Sequence, residues 1–379
     1  MPSADTPVYP AGGHTYSILD LMHCFVDPDL MADGLPRVSD LHLKVGQPVR
    51  YRLDGDLDSV PDGEPLTAGM VEQLLFPLLS AKAAERFRSS ESADLDTGYF
   101  WKAEGLNFRI NAFRDRDGPA FVMRMLPPHV PALEDLGLPS PQLVEHLKAR
   151  RQGLLLVTGV TGSGKSTTVA SYLQAILRER KVRVITLEDP VEHILPHEQG
   201  LVSQREVGVH VPSFAAGLRS ALRENPDIIV VGEMRDAETI GLALTAAETG
   251  HLVVSTLHTR DAKGAITRIL DSFPGDRTKE IATQLSFNLV GVLAQKLVPK
   301  IDGRGRVLAM EVLLNSGSVA QQIRSANLSQ LTSAMETRGK EGMTTLENHL
   351  IQLFQAGAIS REDALHAAND PVIVERLEA

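Results

Sequence analysis

The chain has 379 residues, with 38 lysines and arginines against 48 aspartates and glutamates, and a single cysteine. At ~100–200 residues per domain, this length predicts two or three domains. A content of 43% hydrophobic and 23% charged residues is typical of a folded chain with a sizeable core. The net charge of −10 argues against a general nucleic-acid-binding protein. Cys24 alone cannot form an internal disulfide or a cysteine-rich zinc site, which favours a reducing compartment.

Membrane and export signals are not evident in the sequence. No run approaches the ~18–20 consecutive apolar residues of a membrane span. The opening MPSADTPVYPAGG contains Asp5 and lacks the apolar segment of a secretory signal. We therefore expect a soluble, intracellular protein with no integral membrane segment.

The first third of the chain predicts a small α+β domain over residues 18–126. Residues 1–17 are rich in Pro, Gly, Ser and Thr and predict a flexible N-terminal tail. Alternating or helical hydrophobic patterns in the domain predict, in order, strands at Leu41–Val45 and Pro48–Leu53, helical structure over Leu66–Arg88, and strands over Leu106–Leu126 around an Asp117-Gly118 turn.

Residues 127–150 are interrupted by several prolines and predict a linker and the start of a second domain over 151–379. There, apolar strands alternate with helices, a rhythm that indicates a parallel sheet covered on both faces. The predicted strands are Leu154–Thr158, Val182–Leu187, Asp227–Val231 and His251–Thr256, and the predicted helices are Ser166–Arg180, Phe214–Glu224 and Asp236–Thr249. The C-terminal part is expected to be helical, with amphipathic segments near 344–357 and 361–368.

The segment Gly159–Ser166 fits the phosphate-loop pattern G-x-x-x-x-G-K-[ST] in full, between a predicted strand and a predicted helix. Glycines let the backbone curl so that successive N–H groups point at phosphate oxygens. Lys165 is expected to bridge the β- and γ-phosphates of ATP, and the Ser166 hydroxyl to bind Mg²⁺. The predicted nucleotide-binding residues are Gly159, Thr161, Gly162, Ser163, Gly164, Lys165, Ser166 and Thr167.

Two further predicted strands end in carboxylates. Asp227–Glu233 has the shape of a Walker B segment, which makes Glu233 a candidate either for holding Mg²⁺ through a water or for activating the attacking water. Ile185–Glu192 carries Glu188 and Asp189, which could also belong to an ordinary polar loop. Because ligands of open α/β sheets bind at the carboxyl ends of the strands, convergence on one γ-phosphate is the favoured interpretation.

Two histidines flank the next strand. Six residues of strand span ~20 Å, so His251 and His258 cannot both touch one phosphate. His258, after the strand, is the candidate phosphate sensor, whereas a structural hydrogen bond explains His251 at least as well. The pair does not predict a metal site, because no further His or Cys stands at ligand spacing.

The predicted strands of the first domain contain several arginines, namely Arg109, Arg114, Arg116 and Arg124. Charged residues of this kind usually form a solvated sheet face. Arginines from another domain or subunit can instead stabilise the charge on a γ-phosphate. The sequence does not choose between these two interpretations.

The motifs and their order resemble the type IV pilus retraction ATPase family (PilT/PilU-like), within the type II/IV secretion ATPase (GspE-like) superfamily. The similarity runs from about residue 18 almost to the C-terminus. The segments that carry it are Val38–His42, Arg52–Asp56, Phe108–Phe113, Ile185–Glu192 (similar to the Asp box), Gln204–Gly208, Leu218–Glu224, Val231–Asp236 and Glu248–Thr259 (similar to the His box).

The resemblance implies a PAS-like N-terminal domain joined to a RecA-like ATPase core. It also implies a homohexameric ring that turns ATP hydrolysis into pilus retraction at the cytoplasmic face of the inner membrane, beneath a platform protein. The resemblance also allows a paralogous retraction ATPase as a partner. By position, the resemblance assigns Glu233 as the catalytic glutamate, Glu188 and Asp189 as Asp-box acids near Mg²⁺, His258 as the His-box residue near the nucleotide, and Arg109 and Arg124 as arginines acting on a neighbouring subunit.

The sequence departs from the family pattern at two places. Val160 stands where proline is common in the phosphate loop. Of the helix that normally carries the retraction motif, only Ile323 and Arg324 survive clearly within Val319–Leu328, which leaves an accessory paralogue as an alternative. The pilus-assembly and type II secretion ATPases usually carry a four-cysteine zinc element that this chain lacks, so the retraction branch is favoured.

Overall fold

A computed structural model describes residues 3–32, 35–89, 94–126, 130–303 and 305–370. Their contacts divide the chain into two units. The N-terminal unit contains the described residues up to 126 together with Asp189–Ile194, and the core unit contains the described residues of 130–188 and those from 195 onward. Residues 127–129 of the predicted linker lie outside the described residues, and residues 130–150 belong to the core unit.

The N-terminal unit is built on a six-stranded antiparallel sheet in the order β7-β6-β5-β10-β9-β8. Its elements are β1 (Tyr9–Ala11), β2 (His14–Tyr16), α1 (Ile18–Met22), β3 (Met31–Ala32), β4 (Leu35–Pro36), β5 (Val38–Lys44), β6 (Arg50–Leu53), β7 (Asp56–Ser59), α2 (Ala68–Leu75), α3 (Ala81–Ser89), β8 (Leu95–Trp101), β9 (Leu106–Asp115) and β10 (Gly118–Met125). Burial alternates along most of β9, as expected of a strand with one face on a core. The small α+β unit predicted from the sequence is confirmed.

The N-terminal tail differs from the expectation of a flexible segment. Strands β1 and β2 pair as an antiparallel hairpin, and Tyr9 is fully buried. Its hydroxyl accepts a hydrogen bond of 3.1 Å from the Val49 N–H. Gly63 leaves room for this ring, because a Cβ there would lie 2.1 Å from the hydroxyl oxygen. One buried aromatic side chain therefore orders a segment whose composition predicted a loose tail.

The helical stretch predicted over residues 66–88 is interrupted. Helix α2 ends at Leu75, a 3₁₀ turn spans Phe76–Leu78, and α3 begins at Ala81. Pro77 explains the break, because proline has no N–H to donate and its ring clashes with the preceding turn of an α-helix.

The core unit is a seven-stranded sheet in the order β13-β12-β14-β15-β11-β16-β17. All pairings are parallel except that of β16 with β17. The strands are β11 (Gly153–Thr158), β12 (Arg183–Glu188), β13 (Leu201–Glu206), β14 (Ile228–Val231), β15 (Leu252–Leu257), β16 (Leu289–Pro299) and β17 (Arg306–Leu314). The helices are α4 (Pro141–Lys148), α5 (Lys165–Glu179), α6 (Phe214–Ala221), α7 (Ala237–Glu248), α8 (Ala262–Asp271), α9 (Thr278–Asn288), α10 (Gly317–Arg324), α11 (Leu331–Thr337), α12 (Leu346–Gln355) and α13 (Arg361–Ala367).

The predicted α/β fold class is confirmed in this unit. Every residue of β11 is buried, as expected for a central parallel strand covered on both faces. The four predicted strands are present with ends shifted by at most one residue, whereas the helix expected over Phe214–Glu224 ends at Ala221. The sequence analysis missed β13, β16 and β17, because an apolar run such as Leu289–Ala294 does not by itself distinguish a strand from a buried helix.

None of the helices in the described ranges is both long enough and apolar enough to cross a membrane.

A buried carboxyl joins β17 to the start of α8. Glu311 is 8% exposed, and its Oε1 accepts a hydrogen bond of 2.7 Å from the Ala262 N–H. Burial raises the pKa of Glu311 to about 7, a rise that this hydrogen bond opposes and that the carboxylates of Asp261 and Glu347 reinforce. The ordinary pKa of the group is 4.5. Between these two values the unfolded chain releases a proton that the folded chain retains, so the free energy of unfolding falls as the pH rises.

We predict that Glu311→Gln removes this pH dependence, because the amide oxygen can still accept from Ala262 and does not ionise. From pH 5 to pH 8, the unaltered protein should lose about 2–3 kcal/mol of stability relative to the variant. Denaturant unfolding at both pH values measures the difference, with Glu362→Gln, an exposed glutamate on α13, as the control. If the free energy of unfolding falls equally from pH 5 to pH 8 in the Glu311 variant and in the unaltered protein, the prediction is contradicted.

Candidate nucleotide-binding site

The predicted phosphate loop connects β11 to α5. A Cβ at Gly159 would lie 2.4 Å from the Ser163 Oγ and 2.5 Å from the backbone oxygen of Gln295, so only glycine fits. Gly164 is the N-cap of α5 and has a φ of +87°, in the left-handed region that favours glycine. Close packing at the start of the loop and backbone conformation at its end therefore both require the glycines of the motif.

The loop opens onto the N-terminus of a long helix. Its N-cap, Gly164, has no side chain to cap the helix, and the N-terminus of a helix favours an anion. Ser166 and Thr161 are exposed, and Thr167 is half-buried. The Lys165 amine donates hydrogen bonds to the backbone oxygens of Gly159 (2.8 Å) and Val160 (3.0 Å). This is the chemistry of a site for a polyphosphate.

Ser163 is placed differently from its neighbours. It is 2% exposed, and its hydroxyl lies against Gly159 without a hydrogen-bond partner in the described part of the chain. Ser163 therefore offers a ligand its backbone rather than its side chain.

The parallel sheet gathers three of the predicted polar residues at the same edge as the loop. Glu188 ends β12, Glu233 follows β14, and His258 follows β15. All three strands run parallel to β11, so their carboxyl ends share one edge. The His258 Nε2 lies 3.4 Å from the Glu233 Oε1. Two residues separated by 25 positions are thus brought into contact.

Glu233 is held by a cation that the sequence analysis did not single out. The Arg235 guanidinium donates to the Glu233 Oε2 through Nε (2.8 Å) and lies 2.7 Å away through Nη2. Burial raises the pKa of Glu233, but Arg235 and His258 outweigh it and the net pKa is lowered. Glu233 is therefore a carboxylate at neutral pH, the form of the group that can accept a proton.

Glu188 ends a strand that is not adjacent to the strand that opens the phosphate loop. Strand β12 is separated from β11 by β14 and β15, which places the two strands about 14 Å apart at three strand spacings. The Glu188 Oε1 accepts hydrogen bonds from the Thr186 hydroxyl (2.6 Å) and the Gln204 amide (3.0 Å). Asp189 follows directly and is exposed.

The two histidines of the motif have different environments. His251 is at the other end of β15, where its Nδ1 lies 3.0 Å from the Ala246 backbone oxygen and 3.2 Å from the Thr249 hydroxyl. It ties β15 to the end of α7. Within the described residues, no three His, Cys, Asp or Glu side chains are grouped to hold a metal ion.

Two threonines that the sequence analysis did not single out fix the loop carrying His258. The Thr158 Oγ1, at the end of β11, accepts from the Thr259 N–H (2.9 Å) and donates toward the Thr259 backbone oxygen (2.8 Å). Thr158 is fully buried. A threonine ending an otherwise apolar strand was the available signal, since a buried hydroxyl needs a hydrogen-bond partner.

The arginines of the N-terminal unit have carboxylate partners within that unit. Arg109 on β9 and Arg124 on β10 are directly opposite each other in the sheet. Arg109 pairs with Asp96 at 3.0 Å and Arg124 with Asp40 at 2.6 Å. The aspartates offset the repulsion expected of like charges directly opposite each other.

The other two arginines differ from this pair. Arg114 donates to Glu72 (3.1 Å), and its guanidinium lies 4.9 Å from the centre of the Phe87 ring. The Arg116 side chain is 93% exposed beside Asp117. Arg114 is thus part of the packing of the unit, and Arg116 is at its surface.

Comparison with known proteins relates the whole arrangement to one family. The family model described as "Type II/IV secretion system protein" matches residues 37–370. The chain is 41% identical over 334 residues to the type IV pilus retraction ATPase PilT of Pseudomonas aeruginosa, covering 88% of this chain and 95% of PilT. It is 36% identical to the type IV pilus ATPase PilU of the same organism, covering 88% of this chain and 86% of PilU.

Among solved structures, the chain is similar to the crystal structure of the pilus retraction motor PilT with bound ADP. The TM-score is 0.84 at 40% sequence identity, and the match covers 95% of this chain and 99% of the other. The family model and these relatives each span most of the sequence. The chain therefore belongs to the type II/IV secretion system protein family, with a RecA-like ATPase core and a smaller PAS-like N-terminal domain.

Proposed function

We propose that the protein is a Mg²⁺-dependent ATPase that converts ATP and water to ADP and phosphate. The observation that carries the proposal is the placement of a complete phosphate loop and the Glu233–His258 pair on one edge of a parallel sheet. The similarity to the ADP-bound retraction motor supports it. Phosphoryl transfer needs positioning and charge stabilisation more than covalent chemistry, and these residues supply both.

The residues at the loop fit a magnesium nucleotide. Mg²⁺ is usually held by one or two protein oxygens together with substrate phosphates, and here Ser166 offers an exposed hydroxyl at the start of α5. Glu188 and Asp189 are the acidic residues that we assign to the metal's surroundings. When bound, the ion neutralises charge on the β- and γ-phosphates. The Lys165 amine, now on loop carbonyls, would exchange these for phosphate oxygens.

Glu233 is the group that we assign to the attacking water. Its carboxylate accepts a hydrogen bond from the water and directs the oxygen at the γ-phosphate. His258, in contact with the same carboxylate, is placed to sense the phosphate. Arg235 keeps Glu233 ionised, so the strength of that pair sets how readily Glu233 accepts a proton.

We further propose a homohexamer in which Arg109 and Arg124 act on the nucleotide of a neighbouring copy. Arginine supplied in trans stabilises γ-phosphate charge in other phosphate-loop enzymes. Both side chains are partly exposed, with 41% and 66% of their surface accessible. Each would exchange an aspartate within its own unit for a phosphate.

The work that we propose for this hydrolysis is type IV pilus retraction, and hence twitching motility, at the cytoplasmic face of the inner membrane. The expected partner there is a pilus platform protein. The similarity to PilT over nearly the whole of both chains supports this role.

The departure from the family's retraction motif favours one alternative, an accessory retraction paralogue. Of the motif, Ile323 is fully buried against the core, and the Arg324 guanidinium lies 5.3 Å from the centre of the exposed Phe287 ring. The two preserved residues thus have roles in packing α10, which need not include retraction. The similarity to PilU is the other observation that favours this alternative.

We predict that Glu233→Gln lowers ATP turnover by at least about a hundredfold, because the amide cannot accept a proton. Nucleotide binding and hexamer assembly should persist in the variant. Phosphate release assays with light scattering measure both, and Glu238→Gln, a glutamate on the exposed face of α7, is the matched control. Full turnover in the Glu233 variant would refute the assignment of Glu233. If the unaltered protein forms a hexamer that binds ATP but does not hydrolyse it, the accessory role would be favoured.

We predict that Arg235→Gln moves the acid limb of the kcat/KM profile to higher pH. Removing the guanidinium raises the pKa of Glu233, so the carboxylate needed for catalysis is lost at a higher pH as the solution is acidified. Turnover between pH 5 and pH 8 measures the shift. Arg338→Gln, which disrupts another arginine–glutamate pair on the core unit, should leave the profile unchanged. An acid limb that does not move would show that another group controls it.

We predict that deleting the gene leaves cells piliated but unable to twitch, because fibres are assembled and not withdrawn. Electron microscopy of pili and a surface-motility assay measure the two phenotypes. Complementation with the unaltered gene, but not with Glu233→Gln, is the control. Loss of pili would indicate a pilus-assembly ATPase, and normal twitching would exclude an essential retraction motor.

A further inference from the structure

We propose that Gln295 is a positioning residue for the phosphate loop. Its side-chain amide holds the Ser163–Gly164 peptide in the orientation that turns the Gly164 N–H toward the bound phosphates. The inference deepens the ATPase activity proposed above and rests on it. Gln295 belongs to β16, one of the strands that the sequence analysis did not predict.

The position of Gln295 follows from the sheet. Strand β16 runs parallel to β11, and the last residue of β11, Thr158, pairs with Ala294. Gln295 is therefore the first residue of β16 beyond that pairing, alongside the start of the phosphate loop. It follows six buried apolar or glycine residues, Leu289–Ala294, and is itself 1% exposed. Burying an amide is unfavourable unless the amide forms hydrogen bonds, so packing alone would favour an apolar residue here.

Gln295 contacts both ends of the loop. Its Nε2 donates a hydrogen bond of 2.7 Å to the backbone oxygen of Ser163. A Cβ at Gly164 would lie 3.3 Å from the same Nε2, and a Cβ at Gly159 would lie 2.5 Å from the backbone oxygen of Gln295. The glycines of the motif thus allow the loop to lie close against this residue.

Peptide geometry connects this contact to the ligand. The Ser163 C=O and the Gly164 N–H belong to one planar trans peptide and point in opposite directions. Holding the oxygen toward Gln295, inside the protein, points the N–H away from Gln295. At the start of a helix whose N-cap, Gly164, has no side chain to cap it, that direction is where an anion binds.

The glycine after this peptide makes such an anchor necessary. Rotating the 163–164 peptide changes the ψ of Ser163 and the φ of Gly164, and Gly164 has a φ of +87°. Glycine also tolerates negative φ at little cost, so the 163–164 peptide could rotate if its oxygen had no buried donor. The rotated peptide would present a carbonyl oxygen to the phosphates in place of an N–H. An anchored peptide is already in the binding orientation and avoids the free-energy cost of ordering it.

The first test is Gln295→Met, which keeps the length and the unbranched shape and removes the N–H donor. We expect the Kd for ADP to rise about tenfold, because a buried oxygen loses its partner and the loop loses its fixed orientation. The KM for ATP should rise by a similar factor, with a smaller change in kcat. The melting temperature identifies any loss of fold. Gln352→Met, at an exposed position of α12, is the matched control and should bind ADP normally.

The second test is Gln295→Glu, which separates hydrogen bonding from packing. A neutral carboxyl can donate its O–H to the Ser163 oxygen, whereas a carboxylate can only repel it. Burial raises the pKa of a carboxyl, so the neutral form gains as the pH falls. We expect ADP affinity, expressed relative to the unaltered protein at each pH, to be at least tenfold weaker at pH 8 and to recover toward pH 6. A role in packing alone would leave this ratio independent of pH.

A Gln295→Met protein that binds ADP and turns over ATP as the unaltered protein does would overturn the proposal. If that variant fails to fold, a pH-independent affinity ratio for Gln295→Glu would overturn it instead. Lys165→Ala distinguishes failure of this inference from failure of the site. Weak ADP binding by Lys165→Ala beside normal binding by Gln295→Met would refute only the role of Gln295. Normal binding by both would refute the phosphate-loop site itself.

Discussion

The site depends on one constraint of the backbone: a loop that presents N–H groups to an anion must turn the opposite carbonyl oxygens into the protein, where each needs a donor. The structure supplies these donors from residues outside regular helical bonding. The Gln295 amide donates to the Ser163 oxygen, and the Ser163 N–H donates to the Val160 oxygen at 3.2 Å. Leaving a buried carbonyl without a partner is costly. Strand β11, the glycines of the loop and the neighbouring strand β16 therefore all serve to give the buried loop carbonyls their donors.

In the parallel sheet, hydrogen bonds link the strand ends at the site, each strand to its neighbour. The Gly232 N–H donates to the Leu187 oxygen at 2.7 Å, the Thr256 hydroxyl to the Gly232 oxygen at 2.5 Å, and the Thr259 N–H to the Thr158 hydroxyl at 2.9 Å. These bonds connect β12, β14, β15 and β11 in spatial order. The segments that carry Glu233 and His258 are thereby fixed to the strand that opens the phosphate loop, and a displacement at one strand end strains the next bond in the series.

In the N-terminal unit, charged side chains are paired on one face of the sheet. Arg109 and Arg124 oppose each other across β9 and β10, and Asp96 and Asp40 neutralise them. The Asp40 side chain is only 3% exposed, whereas 66% of the Arg124 side chain is accessible. The carboxylate is thus fixed in the unit and the guanidinium is the partner able to move. An arginine arranged in this way is charged, partly exposed and held near one position.

The sequence by itself determined the phosphate loop, the alternation of strands and helices around it, and the strand ends that carry Glu188, Glu233 and His258, because these depend on local spacing and hydrophobic period. It did not determine β16 and β17, the ordered hairpin at Tyr9, or the contacts of Arg235, Thr158 and Gln295. Those were decided by tertiary structure. Gln295 stands in an apolar run 132 positions after Ser163, and its hydrogen bond to Ser163 forms only because the sheet places β16 beside β11. Local pattern predicts which backbone forms, and only the packed sheet decides which buried polar groups meet.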